Sequence, residues 1–367
     1  MTTPHRLALI GFGTVGQGLA EILLAKGDEL AARYGVQFQV VAVSDLLKGS
    51  LYNHAGLDLA ALLDVVRRTG KLDDYALRQP SRALWSGWDS LRTIRESNAD
   101  TVVEISWTDV QTGQPAIDHV KAAFESGKHA VLTNKGPVAL AYRELAELAA
   151  AKGVQFRFEG TVMSGTPTIR LAQKALAGCE ILEVKGILNG TTNYILTQME
   201  GGQSYADALA EAQRLGYAEA DPTADVEGWD PAGKTVILAN VLLGGDLRVA
   251  DVERTGISGL TLADVQAAKA AGERWKLIAR VWRENDVAGD AKRAGEPRAG
   301  SPRPRVRASV RPTRLPLSHP LAGVSGAVNA CTYTTDFLGD VTLVGPGAGR
   351  METGYAVLGD LLEIAAG

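Results

Sequence analysis

The segment Gly11-Phe12-Gly13-Thr14-Val15-Gly16 follows the apolar run "RLALI" and opens "QGLAEILLAKGDELAARYG", in which apolar residues recur at helical spacing. A strand that ends in GxGxxG and passes directly into a helix begins a βαβ unit, so this chain end is expected to build a parallel sheet with crossover helices. Each glycine then has a task. Gly11 permits the tight turn, Gly13 lets a pyrophosphate approach the backbone, and Gly16 allows the helix to pack on the strand. The phosphates would rest on the free N–H groups and positive dipole end of that helix. The competing reading is a glycine turn without a ligand.

The next apolar runs fit the same plan. "QVVAVS" (39–44), "DTVVEIS" (100–106) and "HAVLTN" (129–134) read as strands, and "YRELAELAAAKG" as a helix closed by a glycine, which makes the first 155 residues a doubly wound, Rossmann-type half. Asp45 closes the second strand, where a carboxylate accepts from the adenosine ribose and disfavours the extra phosphate of NADP. Lys48, three residues on, is suited to that phosphate, so NAD is favoured and NADP stays open. Ser106, Thr133 and Lys135 fall at carboxyl ends of strands, where open α/β sheets bind ligands. A lysine after an apolar strand calls for a negative partner, and an anionic ligand supplies one.

After "VQFRFEGTVMSGTPT" the texture changes to longer helices (204–215, 231–244) mixed with strands at 180–188, 275–283, 305–311 and 325–334, a second α/β (α+β) domain over 156–340. Within it, 286–305 is poor in apolar residues and rich in Gly, Pro and Arg, and reads as a mobile surface insertion between two strands. Residues 341–367 read as a strand, a glycine turn and an amphipathic helix. A chain of 367 residues with 46% hydrophobic residues can bury cores for two such domains. A net charge of −4 gives no reason to expect nucleic-acid binding, and no apolar run approaches the roughly 20 residues that span a bilayer. The opening residues lack an export signal, which points to the cytoplasm. Cys179 and Cys331 match no disulfide framework or metal spacing and read as reduced structural thiols.

"EADPTADVEGWDPAGK" (219–234) sets five carboxylates before a single lysine, Lys234. Asp230 before Pro231 reads as an N-cap and first helical residue, with Lys234 four residues later on the same side. The helix dipole and burial oppose the lysine's charge while nearby carboxylates favour it, a balance that suits proton exchange. Glu219, Asp221, Asp225 and Glu227 exceed what capping needs. A ligand carrying an ammonium group would explain them, so the cluster suggests an amino-acid substrate with Lys234 as general acid or base.

At this point the chain resembles a known family. "AQRLGYAEADPTADVEGWDPAGK", together with "NKGPVA", "EGTVMSGTP", "GILNGTTNYIL" and "GPGAGRMETGYAVLGDL" in that order, is similar to the blocks of homoserine dehydrogenase over nearly the whole chain except the insertion. The resemblance implies reversible reduction of L-aspartate 4-semialdehyde to L-homoserine with NADH or NADPH. It implies that Lys234 is catalytic with Asp230 beside it, that Glu219, Asp225, Gly216 and Thr191 meet substrate, and that Lys135 lies between substrate and cofactor. Ser106, Thr133 and Gly349 match cofactor contacts, the last from a C-terminal segment returning to the nucleotide domain. Glu159, Val162, Ser164 and Thr166 match a site for a monovalent cation, usually sodium, held by one carboxylate and main-chain carbonyls. A homodimer formed through the second domain is also implied. Because the chain ends at Gly367 after the terminal helix, a regulatory domain and threonine inhibition are not expected. Two alternatives remain: another Rossmann oxidoreductase such as aspartate-semialdehyde dehydrogenase, which needs a nucleophilic cysteine, or a catalytically inactive cofactor-sensing protein.

Overall fold

The structure is a computed structural model and describes residues 4–79, 83–284 and 305–366. The chain divides into two compact units, one of residues 1–165 and 348–367, the other of residues 166–347.

In the first unit, β1 (His5–Ile10) enters α1 (Thr14–Tyr34), and β2 (Phe38–Asp45) lies parallel to β1. Strands β3 (Gly49–Asn53) and β4 (Leu84–Ser86) then add antiparallel to the β2 edge, with α2 (Leu59–Thr69) and α3 (Tyr75–Arg78) between them. After α4 (Ser90–Glu96), β5 (Thr101–Glu104) pairs with the other side of β1. Helix α5 (Ala116–Glu125), β6 (His129–Leu132), α6 (Lys135–Lys152) and β7 (Phe156–Arg157) continue outward in parallel. The resulting order, β4-β3-β2-β1-β5-β6-β7, reverses between β1 and β5, where α/β sheets take their ligands. The parallel core matches the expectation, while the antiparallel hairpin edge is an addition to it.

In the second unit, a short turn α7 (Thr168–Arg170) leads to β8 (Ile181–Ile187), then α8 (Gly190–Glu200), α9 (Tyr205–Arg214), α10 (Thr223–Val226) and α11 (Trp229–Leu242). Strand β9 (Glu253–Arg254) and α12 (Leu262–Ala270) precede β10 (Glu273–Arg283), β11 (Val306–Pro316), β12 (Val328–Thr335) and β13 (Gly339–Pro346). The sheet runs β13-β12-β8-β10-β11-β9 and is antiparallel except at the β9–β11 edge. The 286–305 insertion falls between β10 and β11 and, apart from Arg305, lies outside the described residues.

The final helix, α13 (Arg350–Ala365), belongs to the first unit. Its Val357, Leu358, Leu361 and Ile364 share a buried cluster with Leu7 and Leu9 of β1 and Leu19 and Leu23 of α1. Arg350 pairs with Glu21 at 2.7 Å, and a Cβ on Gly18 would stand 2.3 Å from the Arg350 carbonyl, so α1 and α13 cross with no room for a side chain there. Thus the C-terminal segment braces the helix that opens at the glycine loop.

Candidate active site

The glycine loop is built around the turn from β1 into α1. Gly11 has φ +105°, and a Cβ there would lie 2.6 Å from the Ile105 carbonyl oxygen, so backbone conformation and space both demand glycine. Gly16 is similarly closed, 2.9 Å from the Gly11 carbonyl. Gly13 differs. A Cβ at Gly13 would meet nothing within 4 Å, and its role as N-cap of α1 comes with no side-chain capping bond. A helix of 21 residues therefore opens with uncapped N–H groups onto free space, which suits the anionic pyrophosphate of a dinucleotide.

Asp45 closes this loop from β2. Its Oδ2 accepts the Phe12 N–H at 2.7 Å and its Oδ1 accepts the N–H groups of Leu47 and Lys48, each at 3.0 Å. Lys48 Nζ stands 3.7 Å from the same carboxylate, so the two residues weighed for coenzyme choice form one ion pair. Across the switch point, the Ser106 N–H and hydroxyl both donate to Glu104 Oε1, the former at 3.3 Å, with His119 Nδ1 3.4 Å from that oxygen. Glu104 is fully buried. Thr133 donates its N–H to the Glu104 carbonyl at 3.3 Å. Asn134 caps α6 and donates to the Trp107 carbonyl at 3.1 Å, which ties the loop after β5 to the helix that Lys135 begins. Lys135 is half-buried in that first turn.

The stretch after β7 also belongs to this unit through Gly165. Glu159 is 3% exposed, and its N–H donates to Asp360 of α13 at 2.9 Å. Met163 and Ser164 have φ of 58° and 54°, left-handed values that non-glycine residues seldom adopt. Ser164 Oγ lies 2.6 Å from Thr353 Oγ1 of α13. Val162 is fully buried. Thr166 falls in the second unit, where its carbonyl accepts from the N–H of Thr168 at 2.7 Å and its hydroxyl at 3.1 Å. Gly349 is the N-cap of α13, at φ 142°.

The carboxylates before Lys234 are sorted by the second unit into different tasks. Gly228 adopts the left-handed conformation at φ 79°, so α11 begins at Trp229, two residues earlier than its Asp-Pro pair suggests. Asp230 is consequently not the N-cap but lies inside the first turn, and Pro231 is tolerated there because first-turn N–H groups have no intrahelical partner. Relieved of capping, Asp230 Oδ2 receives Lys234 Nζ at 2.7 Å and Asn189 Nδ2 at 3.0 Å. Lys234 is buried and donates a second bond to the Leu188 carbonyl at 2.7 Å. Asn189 Nδ2 also donates to Asp225 Oδ1 at 2.6 Å. Burial pushes the Asp225 carboxyl above the usual range; the Asn189 amide opposes that, the Asp230 charge adds to it, and Lys234 counteracts it.

Of the other predicted residues, Thr191 borders this knot, its side chain lowering the pKa of the Asp225 carboxyl, while Gly216 and Glu219 separate from it. Thr191 donates its hydroxyl to the Tyr217 carbonyl at 2.6 Å, next to Gly216, which turns the chain out of α9. Glu219 and Gly216 are exposed. Asp221 caps its own turn through the Thr223 N–H, and Glu227 accepts from Ser258 at 2.6 Å. So two of the five carboxylates meet Lys234's network directly. Asn189, which sequence reasoning passed over, is the residue that joins them; its signal was its place in "NGTTN", directly before a helix.

Two family models match the chain, homoserine dehydrogenase over residues 167–362 and the homoserine dehydrogenase NAD-binding domain over residues 11–159. The chain belongs to the homoserine dehydrogenase family. It is 44% identical to the NAD(+)-dependent homoserine dehydrogenase of Pseudomonas canavaninivorans over 99% of this chain and 96% of the relative. It is 40% identical to the homoserine dehydrogenase of Methanocaldococcus jannaschii over 98% of each. Among solved structures, a putative homoserine dehydrogenase from Archaeoglobus fulgidus superposes with a TM-score of 0.83 at 38% identity and 99% coverage of both chains. A hyperthermophilic archaeal homoserine dehydrogenase in complex with NADPH gives 0.79 at 29% identity, covering 99% of this chain and 98% of that one. As a homoserine dehydrogenase, the protein interconverts L-homoserine and L-aspartate 4-semialdehyde with NAD(P). Among the described residues no helix is long and apolar enough to cross a membrane, and no cluster of His, Cys, Asp or Glu could hold a metal ion on its own.

Proposed function

We propose that Lys234 is the general acid of aldehyde reduction and the general base of alcohol oxidation, with Asp230 holding its amine. An ammonium has three N–H bonds, and Lys234 commits two of them, to Leu188 and to Asp230. The third is the one it can present to the substrate oxygen. In reduction, a C–H bond forms at the aldehyde carbon while the Nζ–H bond breaks and an O–H bond forms; oxidation reverses each step. NAD(P)H, when bound, supplies the hydride. The observation that carries this reading is the buried Lys234–Asp230 contact at 2.7 Å.

Residues Gly11 to Gly16, Asp45, Ser106, Thr133, Lys135 and Gly349 hold the coenzyme in this reading. Support comes from the open space at Gly13, the uncapped start of α1 and the bracing of Ser106 by Glu104. Asp45 favours NAD, because its carboxylate is fixed by three main-chain N–H groups beside the loop and would repel a 2′-phosphate. The Pseudomonas relative is named NAD(+)-dependent, in the same direction. Asp225, Glu219, Gly216 and Thr191 receive the amino-acid end of the substrate, whose α-ammonium an acidic pocket accommodates. Glu159, Val162, Ser164 and Thr166 hold a monovalent cation, sodium; a carboxylate 3% exposed beside a left-handed Met163–Ser164 turn supports this. A homodimer belongs to this reading on the family resemblance, and a cytoplasmic location and the division into nucleotide, substrate and C-terminal segments belong to it on the sequence patterns.

The phosphorylating alternative has no support in the thiols. Cys331 is wholly buried, which pushes its thiol up to about 12, far from the range of an activated nucleophile. A steady-state assay with L-homoserine and either oxidised coenzyme, at matched sodium and potassium, tests the whole reading. Oxidation of homoserine with NAD+ ahead of NADP+ is expected. No turnover with either would refute it.

A further inference from the structure

Asn189 is 5% exposed and every polar atom of its side chain is engaged. Its Oδ1 accepts the Thr192 N–H at 2.9 Å and the Thr192 hydroxyl at 3.0 Å, capping α8. That cap decides which way the amide faces. A carbonyl oxygen accepts and an amide nitrogen donates, so with Oδ1 turned to the helix the NH2 group must point away from it. There it meets Asp225 Oδ1 at 2.6 Å and Asp230 Oδ2 at 3.0 Å, one hydrogen for each carboxylate. The preceding residue, Leu188, supplies the carbonyl that holds Lys234. Two consecutive residues at one helix start thus fix both members of the acid–base pair.

We propose that Asn189 is a positioning residue for this reaction: its helix-oriented amide separates the carboxylates of Asp225 and Asp230 and holds Asp230 Oδ2 on Lys234. Without the two donors, the repulsion between the carboxylates would no longer be offset by the amide that bridges them. Asp230 Oδ2 would then lose the bond that complements its contact with Lys234, and the amine would lose its fixed direction. The role is separable from capping, because serine and aspartate cap helix starts about as well as asparagine. Serine removes the amide donors. Aspartate replaces them with a third carboxylate.

This proposal rests on the assignment of Lys234 and Asp230 above. The test compares N189S, N189D and D230A with the parent in kcat, KM for homoserine, Kd for dinucleotide and thermal unfolding, with turnover expressed per dinucleotide-binding site. We expect N189S to lower kcat by about tenfold and N189D by about a hundredfold, within the range that a misplaced acid–base group costs. Dinucleotide Kd should stay within about twofold and the unfolding midpoint within a few degrees, since the cap persists. The double variant N189S/D230A should be no slower than D230A, because a residue that acts through another adds nothing once that one is gone. Per-site turnover of N189S and N189D within about twofold of parent would overturn the proposal, as would losses that multiply in the double variant. If D230A and K234A keep full activity, the underlying assignment is what fails, whatever the Asn189 variants do.

Discussion

Lys234 and Asp230 stand one turn apart on α11, with Nζ and Oδ2 2.7 Å apart and the lysine buried. The contact exists because Gly228 starts the helix early and leaves the aspartate free of capping. Removing the charge while keeping the shape isolates what the aspartate does. In D230N the amine keeps its bond to Leu188 but loses its anionic partner, so kcat should fall by about ten- to a hundredfold with dinucleotide binding unchanged. Stopped-flow measurement of hydride transfer checks this, and a kcat equal to that of the parent would remove Asp230 from the machinery.

The two glycines of the loop should respond oppositely to alanine. Gly11 combines positive φ with a carbonyl 2.6 Å from its missing Cβ, so G11A should cost about 1–3 kcal/mol of stability. Gly13 has open space, so G13A should change stability by less than about 0.5 kcal/mol. Its effect should fall on the ligand instead, weakening NAD(H) at least about tenfold, or about 1.4 kcal/mol. Thermal unfolding and fluorescence titration separate the two, and a stable G13A protein with unaltered coenzyme affinity would contradict the proposed phosphate position.

Asp45 is both a loop clamp and a charge. D45S removes the carboxylate that accepts from three main-chain N–H groups, and with it the negative charge that opposes a 2′-phosphate. The ratio of kcat/KM for NADP+ over NAD+ should rise by about tenfold or more, with Lys48 released to meet the phosphate. An unchanged ratio would place coenzyme selection elsewhere.

These predictions also mark what the chain's residues disclose unaided. The strand, glycine turn and helix at 11–16 are legible because the local pattern and the chemistry coincide, and the four-residue spacing of Asp230 and Lys234 is legible because a helix puts such residues on one side. The exact helix start is not, since Asp-Pro and a left-handed Gly228 compete for the cap and backbone geometry settles it. The five carboxylates look alike in sequence, and only tertiary packing turns Asp225 and Asp230 inward while Glu219 stays exposed and Glu227 turns to Ser258. Asn189 is not marked out by its local pattern, because its contacts with the carboxylates depend on residues 36 and 41 positions away. Strands β3 and β4 escape notice because they are short and lie at an edge.

Lys128 supplies a pH test independent of catalysis. Its buried ammonium donates to the Ser97 carbonyl at 2.6 Å, to Ile94 and to Arg95, closing the end of α4. Burial lowers its pKa from 10.5 to about 8. Between those values the unfolded chain binds more protons than the folded one, so this group's contribution to stability rises with pH from about 8 to about 10.5 and is least favourable below 8. K128M should lack that rise and should lose about 1–3 kcal/mol for carbonyls left without a donor. Denaturant midpoints at pH 7 and pH 10 for parent and variant measure both effects, and parallel pH dependence in the two would refute the assignment.

The central assignment is the proton carried by Lys234. K234M keeps the length and apolar stem of the side chain but has no exchangeable proton, so the most direct measurement is its kcat for homoserine oxidation beside its Kd for NAD+. A fall in kcat of about a hundred- to ten-thousandfold with Kd essentially unchanged is the predicted result. Turnover close to that of the parent, in a protein that still binds the coenzyme, would contradict the account.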